Sequence, residues 1–477
     1  MNFISDVVER YPASRPAIVA IDAAGDRRVW HFGELSALAA GVSGAFAARG
    51  VRRGDVVMTV MGSQIEWVVS MLACFRMGAV VLPCNLQLQP AELRARAEAA
   101  GAVLAVGAGE AVGAGPAGSM SMTVGEVRQA MDEDRPQEPP AEVIDLAPED
   151  PALVIFSSGT TGEPKGIVHA QRYLTGQQLQ AEHWLGARDG DLVWCTAAAG
   201  WSKSARNAFV APWLQGAVAL VHDARFDPQA RLELCEREGV NVLCQSPTEY
   251  RMLASRSRLR PVASLRRLVA AGEALEADVI ATFRDVLGLT IADGYGQSET
   301  GHVTAPPAGR DPRPGSMGRP LPGIETRITE GELEIRASST PTFFSHYVSG
   351  ERFDERWWPT GDLVREDDDG YLWHEGRADD VIISSGYRIG PVEVESALLT
   401  HPAVAEAAAV PAPDAERGSV VKAVVVLTGT QPSEALAQEL QDHVRERTAP
   451  YKYPRTVEFV AELPKTVSGK IKRRELR

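Results

Sequence analysis

The sequence is poor in cysteine and has no long uninterrupted apolar run, and each shortage restricts what the chain can be. Its five cysteines, Cys74, Cys84, Cys195, Cys235 and Cys244, form no CxxC pair and no metal-ligand cluster, and an odd number cannot all pair within one chain. A disulfide-stapled extracellular scaffold is thereby excluded, and a reducing, cytoplasmic setting is expected. The N-terminal run Met1-Asn2-Phe3-Ile4-Ser5-Asp6 lacks the basic lead and apolar core of an export signal. The most apolar stretch, Ile65 to Pro83, is broken by Glu66 and Arg76, so no membrane span is expected. Basic residues are in deficit as well: 49 Lys and Arg against 63 Asp and Glu leave a formal charge of -14, which argues against general attraction to nucleic acid or anionic membrane.

What is present reads as an ordinary globular chain, 44% hydrophobic and 23% charged. A length of 477 residues exceeds what one core usually organises, so two or more domains are expected. From Trp30 to about Leu104 helix-like runs (Phe32 to Arg49, Ile65 to Met77) alternate with short apolar strands (Asp55 to Met61, Ala79 to Pro83). That alternation implies an α/β fold around a largely parallel sheet. The Gly/Ala-rich Gly107 to Gly118 and the acidic, Pro-rich Asp132 to Asp150 read as surface loops or linkers. Gly107 and Gly109 follow an apolar run, but the third glycine is misplaced for a dinucleotide fingerprint. After Gly376 the texture changes. A strand over Val381 to Ile383, a helix over Val392 to Leu399, strands over Val404 to Val410 and Val420 to Leu427, and a helix over Pro432 to Glu446 suggest a compact α+β domain of about 100 residues.

The strongest local signal is Ser157-Ser158-Gly159-Thr160-Thr161-Gly162-Glu163-Pro164-Lys165-Gly166, directly after the apolar strand Ala152 to Phe156. Backbone N–H groups and hydroxyls in such a loop can be aimed at a polyanion, with Lys165 adding a positive charge. It is not a P-loop, because Pro164 stands where GxxxxGK[ST] needs glycine. Further motifs follow in order. They are Gly272-Glu273-Ala274 after an apolar strand, Asp293-Gly294-Tyr295-Gly296-Gln297-Ser298-Glu299-Thr300-Gly301, Thr360-Gly361-Asp362-Leu363, and Gly376-Arg377-Ala378-Asp379-Asp380 with Ser384-Ser385-Gly386-Tyr387-Arg388. The last is Pro464-Lys465-Thr466-Val467-Ser468-Gly469-Lys470. Thr300 stands where a GxSxG nucleophile elbow would need glycine, so that reading fails. Between Arg445 and Arg477 ten Lys/Arg face four Asp/Glu, a basic element on an acidic chain that suits polyanionic substrates.

In residues and in order these motifs resemble the adenylate-forming superfamily of acyl-CoA synthetases, peptide-synthetase adenylation domains and luciferases, most closely the medium-chain acyl-CoA synthetases. The resemblance implies a large N-terminal multi-subdomain body with parallel-sheet layers over residues 1–378, and a small mobile α+β domain over 379–477 pivoting at Asp379. It implies ATP, Mg²⁺ and coenzyme A, with a carboxylic acid as substrate. Ser157 to Gly162 and Lys165 would cradle phosphate, Gly272, Glu273 and Ala274 would lie along adenine, and the Tyr295 ring would stack on it. Asp293, Gly294, Gly296, Gln297 and Ser298 would frame the nucleotide, Thr300 would meet the α-phosphate, and Glu299 would hold Mg²⁺. Asp362 and Arg377 would read ribose, Arg388 would reach phosphate, and Lys470 would be the catalytic lysine. Ser385, Gly386 and Tyr387 would line the pantetheine path, with Arg417 and Arg455 on coenzyme A. The acyl pocket would be lined by Trp201, Gly272, Gly296 and His302. Acetate-specific relatives carry tryptophan at the position of Gly296, so a medium-chain, branched or aryl acid is expected. A carrier-protein thiol as acceptor is the alternative reading, and a lysine acetyltransferase acting on Lys470 is a further expected partner.

Overall fold

The computed structural model describes residues 1–109, 113, 115, 119–132, 138–157, 164–273, 275, 277–307, 309–384, 387–414, 417–466 and 471–477, without the side chain of Arg388. These residues fall into two compact units. The larger lies within Met1–Ser157, Glu163–Glu325 and Arg336–Arg356, and the other takes Thr326–Ile335 and Trp357–Arg477. Strands Thr326–Thr329 and Trp357–Glu366 fall in the second unit because they share a four-stranded sheet with Glu332–Arg336 and Leu372–Arg377.

The larger unit is built on two seven-stranded sheets. The first runs, edge to edge, through Ile291–Gly294, Arg267–Ala271, Val242–Gln245, Leu192–Cys195, Val218–His222, Pro16–Ile21 and Arg27–His31. The second runs through His346–Tyr347, Gly166–Ala170, Pro151–Phe156, Val80–Cys84, Val56–Val60, Ala102–Gly107 and Met120–Thr123. Their interiors are parallel, as the βα alternation implies, but three pairings toward the edges are antiparallel. Arg27–His31 pairs with Pro16–Ile21 as a hairpin, Gly166–Ala170 turns back on Pro151–Phe156, and His346–Tyr347 pairs with Gly166–Ala170.

The helix Ile65–Met77 accounts for the broken apolar run of the sequence. It is buried on nearly every face, as expected of a helix inside a large core. Glu66 meets Arg128 in an ion pair, while Arg76 Nε donates to the Ala141 carbonyl at 2.8 Å. Gly78 ends the helix at φ +69°, a left-handed cap that glycine adopts without a Cβ penalty. Trp67, Phe209, Trp213 and Phe32 share the same core, with Phe209 and Trp213 ring centroids 4.9 Å apart.

The second unit contains a three-stranded sheet in which Val404–Asp414 and Gly418–Leu427 form a long antiparallel hairpin and Thr456–Phe459 adds in parallel. Helices Pro391–Leu399 and Glu434–Arg447 contribute Val394, Leu398, Leu440 and Val444 to one core with that sheet. Arg473, near the C-terminus, is tied to Glu395 at 2.7 Å and Asp380 at 3.6 Å.

Candidate active site

The glycine-rich segment joins two antiparallel strands, so its ends are held like a hairpin. Phe156 pairs with Gly166, the Ser157 N–H donates to the Lys165 carbonyl at 3.0 Å, and the Lys165 N–H donates to Ser157 Oγ at 3.4 Å. The expected phosphate contacts Ser158, Gly159, Thr160, Thr161 and Gly162 lie outside the described residues. At the foot of the loop, Lys165 Nζ sits 5.1 Å from the centroid of the Tyr347 ring, within cation–π range. Tyr347 is carried there by the pairing of its strand with Gly166–Ala170. Its Oη lies 3.4 Å from Glu299 Oε1, at the outer limit of a hydrogen bond. Burial, then the Glu299 charge, push the Tyr347 hydroxyl above its ordinary pKa, so it is a neutral donor at pH 7. Lys165, Tyr347 and Glu299 therefore form a series of cation, ring and carboxylate. Sequence reasoning found the two ends and missed the tyrosine between them.

The central motif begins where the edge strand Ile291–Gly294 ends, with Asp293 buried and accepting from the Gly294 N–H at 2.9 Å. The chain then folds back on itself, pairing Gly296 with His302 and Gln297 with Gly301. Thr300 is buried in this fold. Its hydroxyl accepts from the Gln297 N–H at 3.1 Å and donates to the Gly301 carbonyl at 3.0 Å, while the Thr342 hydroxyl donates to the Thr300 carbonyl at 2.5 Å. Holding the turn is thus the contact Thr300 makes here. Tyr295 is half-buried, its N–H given to Thr304 Oγ1 at 3.0 Å. Gly296 has a backbone reason to be glycine, since a Cβ there would collide with the Gly301 carbonyl oxygen. The expectation that its missing side chain opens the acyl pocket therefore has a competing explanation in the hairpin itself.

Gly272 follows the strand Arg267–Ala271 at φ +105°, and the Lys203 ammonium donates to the Ala271 carbonyl beside it. A Cβ at Gly272 would lie 3.4 Å from Lys203 Nζ. Glu273 is turned to the helix Pro247–Arg256, accepting from Thr248 Oγ1 at 2.9 Å and Arg251 Nη2 at 2.9 Å. Ala274 lies outside the described residues. Trp201, half-buried, precedes the short helix Ser202–Asn207. His302 is buried, with its ring tilted by 30° against Trp184 at a centroid distance of 4.0 Å. Burial, then the charges of Arg206 and Lys203, hold its pKa far below the ordinary histidine value, so the ring is neutral.

In the second unit, Asp362 and Arg377 are brought together across paired strands. Arg377 Nη1 lies 3.5 Å from Asp362 Oδ2 and 3.0 Å from the Thr360 carbonyl, and His374 Nε2 lies 3.2 Å from Asp362 Oδ1. Arg377 Nε also donates to Asp379 Oδ1 at 3.3 Å, in the single turn Ala378–Asp380. Arg388 is on the strand Tyr387–Ile389, and Ser385 and Gly386 lie outside the described residues. The exposed Tyr387 ring stacks on exposed Tyr451 at a centroid distance of 4.4 Å, and the Arg455 guanidinium lies 5.0 Å from the centroid of the Tyr453 ring. The Arg417 N–H caps onto Asp414 Oδ1 at 2.9 Å. Lys465 and Ile471 form an antiparallel bridge, and Lys470 itself lies outside the described residues.

Two parallel-cored sheets, a Gly/Ser/Thr loop with a lysine at its foot beside a motif carboxylate, and a second α+β unit with a basic tail define an adenylate-forming ligase. Comparison with known proteins gives the family. The AMP-binding enzyme model matches residues 4–340 and the AMP-binding enzyme C-terminal domain model matches 393–470, so the chain belongs to the AMP-binding enzyme family. Among relatives, it is 37% identical to the mitochondrial acyl-coenzyme A synthetase ACSM4 of Rattus norvegicus, over 100% of this chain and 90% of that one. Among solved structures, it is 31% identical to the anthranilate CoA ligase AuaEII in complex with anthranoyl-AMP, with a TM-score of 0.88 over 100% of this chain and 96% of that one. A benzoate CoA ligase from Burkholderia xenovorans LB400 gives a TM-score of 0.89 at 28% identity, over 100% of both chains. The expected α/β body with a smaller C-terminal domain is the fold observed.

Proposed function

We propose that the chain is an AMP-forming acid–thiol ligase that joins a carboxylic acid to AMP and then passes the acyl group to coenzyme A. The observation that supports this most is the series Lys165–Tyr347–Glu299 at the foot of the glycine-rich loop. In the first step a carboxylate oxygen attacks the α-phosphorus of ATP, and the bond to the departing pyrophosphate breaks. No general base is required, because the acid is already ionised at pH 7. The demand is for alignment and for cations where negative charge gathers. Lys165 supplies one such cation, and Lys470 is assigned the second, between the acyl carboxylate and the phosphate.

Mg²⁺ fits the residues present. A hard cation of this kind is commonly held by one or two carboxylates plus substrate phosphates, and Glu299 is the motif carboxylate offered. Among the described residues no group of three or more His, Cys, Asp and Glu could form a cage by itself. When bound, the ion would neutralise phosphate charge. Tyr347 would keep the Glu299 carboxylate and the Lys165 ammonium separated and oriented.

In the second step the thiol sulfur attacks the acyl carbon, AMP leaves, and the thiol proton passes to solvent. Lys470 must withdraw for that attack, and a hinge at Asp379 between residues 1–378 and 379–477 would allow it. Asp362 and Arg377, already paired, would read ribose. Tyr387, Arg417 and Arg455 are assigned to coenzyme A. Relatives named as coenzyme A synthetases and ligases favour free coenzyme A over a carrier protein. Neither the relatives nor the described residues support an acetyltransferase partner for Lys470. Five free, buried thiols suit the reducing cytoplasm. No helix among the described residues is long and apolar enough to cross a membrane. Acid-dependent pyrophosphate release followed by coenzyme A thioester formation tests the whole reading. Turnover of ATP to ADP, or indifference to added acid, would contradict it.

A further inference from the structure

Behind the 298–302 turn the larger unit buries a group of polar atoms that the protein itself leaves unanswered. Arg206, on the helix Ser202–Asn207, is 7% exposed, yet it forms no ion pair with any described carboxylate. Its Nη1 reaches only neutral oxygens at long range, Tyr173 Oη at 3.5 Å and Ser202 Oγ at 3.4 Å, and its Nε has no partner. Lys203, one turn earlier, gives its ammonium to a backbone carbonyl and likewise pairs with no described acid. Asn207 Nδ2, Trp184 Nε1 and Ser204 Oγ are buried without partners on the same or adjoining elements, and so is His302 Nε2.

Arg206 Nε, Asn207 Nδ2 and Trp184 Nε1 are donors, whereas Gln180 Oε1, on the residue whose amide donates to Asn207 Oδ1, is an unpartnered acceptor. A buried donor without an acceptor is destabilising, and an unpaired buried cation is more so. Water could answer the neutral donors. It cannot neutralise the guanidinium, which calls for an anion.

The position is tied to the reaction. His302 pairs with Gly296 in the central motif and feels the charge of both Arg206 and Lys203. Lys203 lies against Gly272, at the end of the strand that carries the adenine-side segment. An acid whose reacting carboxylate sits at this turn would extend toward Arg206.

We propose that the acid activated by this enzyme carries a second carboxylate, received by Arg206 with help from Lys203 and Asn207. The inference rests on the acid-activating reading and narrows the expected medium-chain, branched or aryl substrate to one with a second anionic group.

The test compares acids matched in length, glutarate with pentanoate and adipate with hexanoate, by acid-dependent pyrophosphate release. Expected is a kcat/KM at least ~10-fold higher for the two dicarboxylates, about 1.4 kcal/mol of discrimination. In Arg206→Leu the order reverses, and in Arg206→Lys part of the preference survives. Equal or better turnover of the monocarboxylates by the unaltered enzyme overturns the proposal, as does a preference undiminished in Arg206→Leu. Thermal melting keeps the result separate from the activity reading. Glutarate should raise Tm in the unaltered protein more than pentanoate does, even if no acid supports pyrophosphate release. An equal effect of the two acids would overturn the proposal on its own.

Discussion

The two sides of the 298–302 turn are built on opposite principles. Toward the glycine-rich loop, the polar groups are few and partnered: Lys165 has a ring, Tyr347 a carboxylate, Thr300 a turn. Away from it, around Arg206, they are many, deeply buried and unpartnered. On the proposed reading, a nucleotide would bring charge to groups that are already paired, whereas the acid would complete an interior that is not. One side is common to a family and announces itself in motifs. On the proposed reading, the other would be specific to a substrate.

Substitutions on each side probe this contrast. Lys470→Ala should lower acid-dependent pyrophosphate release by at least ~100-fold, about 2.7 kcal/mol of transition-state stabilisation, while thiolysis of a supplied acyl-adenylate falls far less. An equal loss in both steps would remove the division of labour assigned to that lysine. Glu299→Gln should cost adenylation about 10- to 100-fold and raise the Mg²⁺ concentration needed for half-maximal rate. An unchanged Mg²⁺ titration would assign the carboxylate to packing against Tyr347 instead.

The buried side predicts a pH effect on stability. Burial first, then the charge of Arg206, depress the pKa of His169 to about 3, below the ordinary histidine value of 6.5. The unfolded chain therefore binds the proton more readily. This group's contribution is intact above pH 6.5 and is lost progressively as pH falls from 6.5 toward 3, about 2 kcal/mol by pH 5. Melting curves at pH 7 and pH 5 should show that loss, and His169→Phe should reduce it. A pH dependence identical in the variant would exclude His169 as its source.

Gly296→Ala should destabilise the protein by about 1–3 kcal/mol, because the Cβ meets the Gly301 carbonyl, and it should not shorten the range of acids accepted. A stable variant with a narrowed acid range would restore Gly296 to the pocket. Smallest is Tyr347→Phe, which keeps the ring under Lys165 and removes only a 3.4 Å contact. A two- to threefold change in kcat/KM is expected, of order 0.5 kcal/mol, against a larger loss in Tyr347→Leu.

How much of this was legible in the sequence follows the same divide. Phe32–Ala48 and Ile65–Met77 lie within a residue of their expected bounds, because apolar periodicity over three or more turns is a strong local signal. The helices and strands after residue 380 were placed nearly as well. The antiparallel return of Gly166–Ala170 was not, since pairing direction is set by what lies across the sheet and leaves no local trace. Tyr347 stands in Ser345-His346-Tyr347, where nothing marks it until its strand pairs beside Lys165. Arg206 did leave a trace, a cation just before the apolar run Ala208 to Val210. Reading it required knowing that the helix is buried. Glu273 sits in a recognisable motif, but its carboxylate is given to Thr248 and Arg251, which the motif does not reveal.

The central claim is that ATP and an acid react at this site to an enzyme-held adenylate before any thiol is involved. Exchange of labelled pyrophosphate into ATP, with acid present and coenzyme A absent, tests it most directly. The account predicts exchange that requires both the acid and Mg²⁺ and is abolished in Lys470→Ala. Exchange that begins only when coenzyme A is added, or that proceeds without any acid, would contradict it.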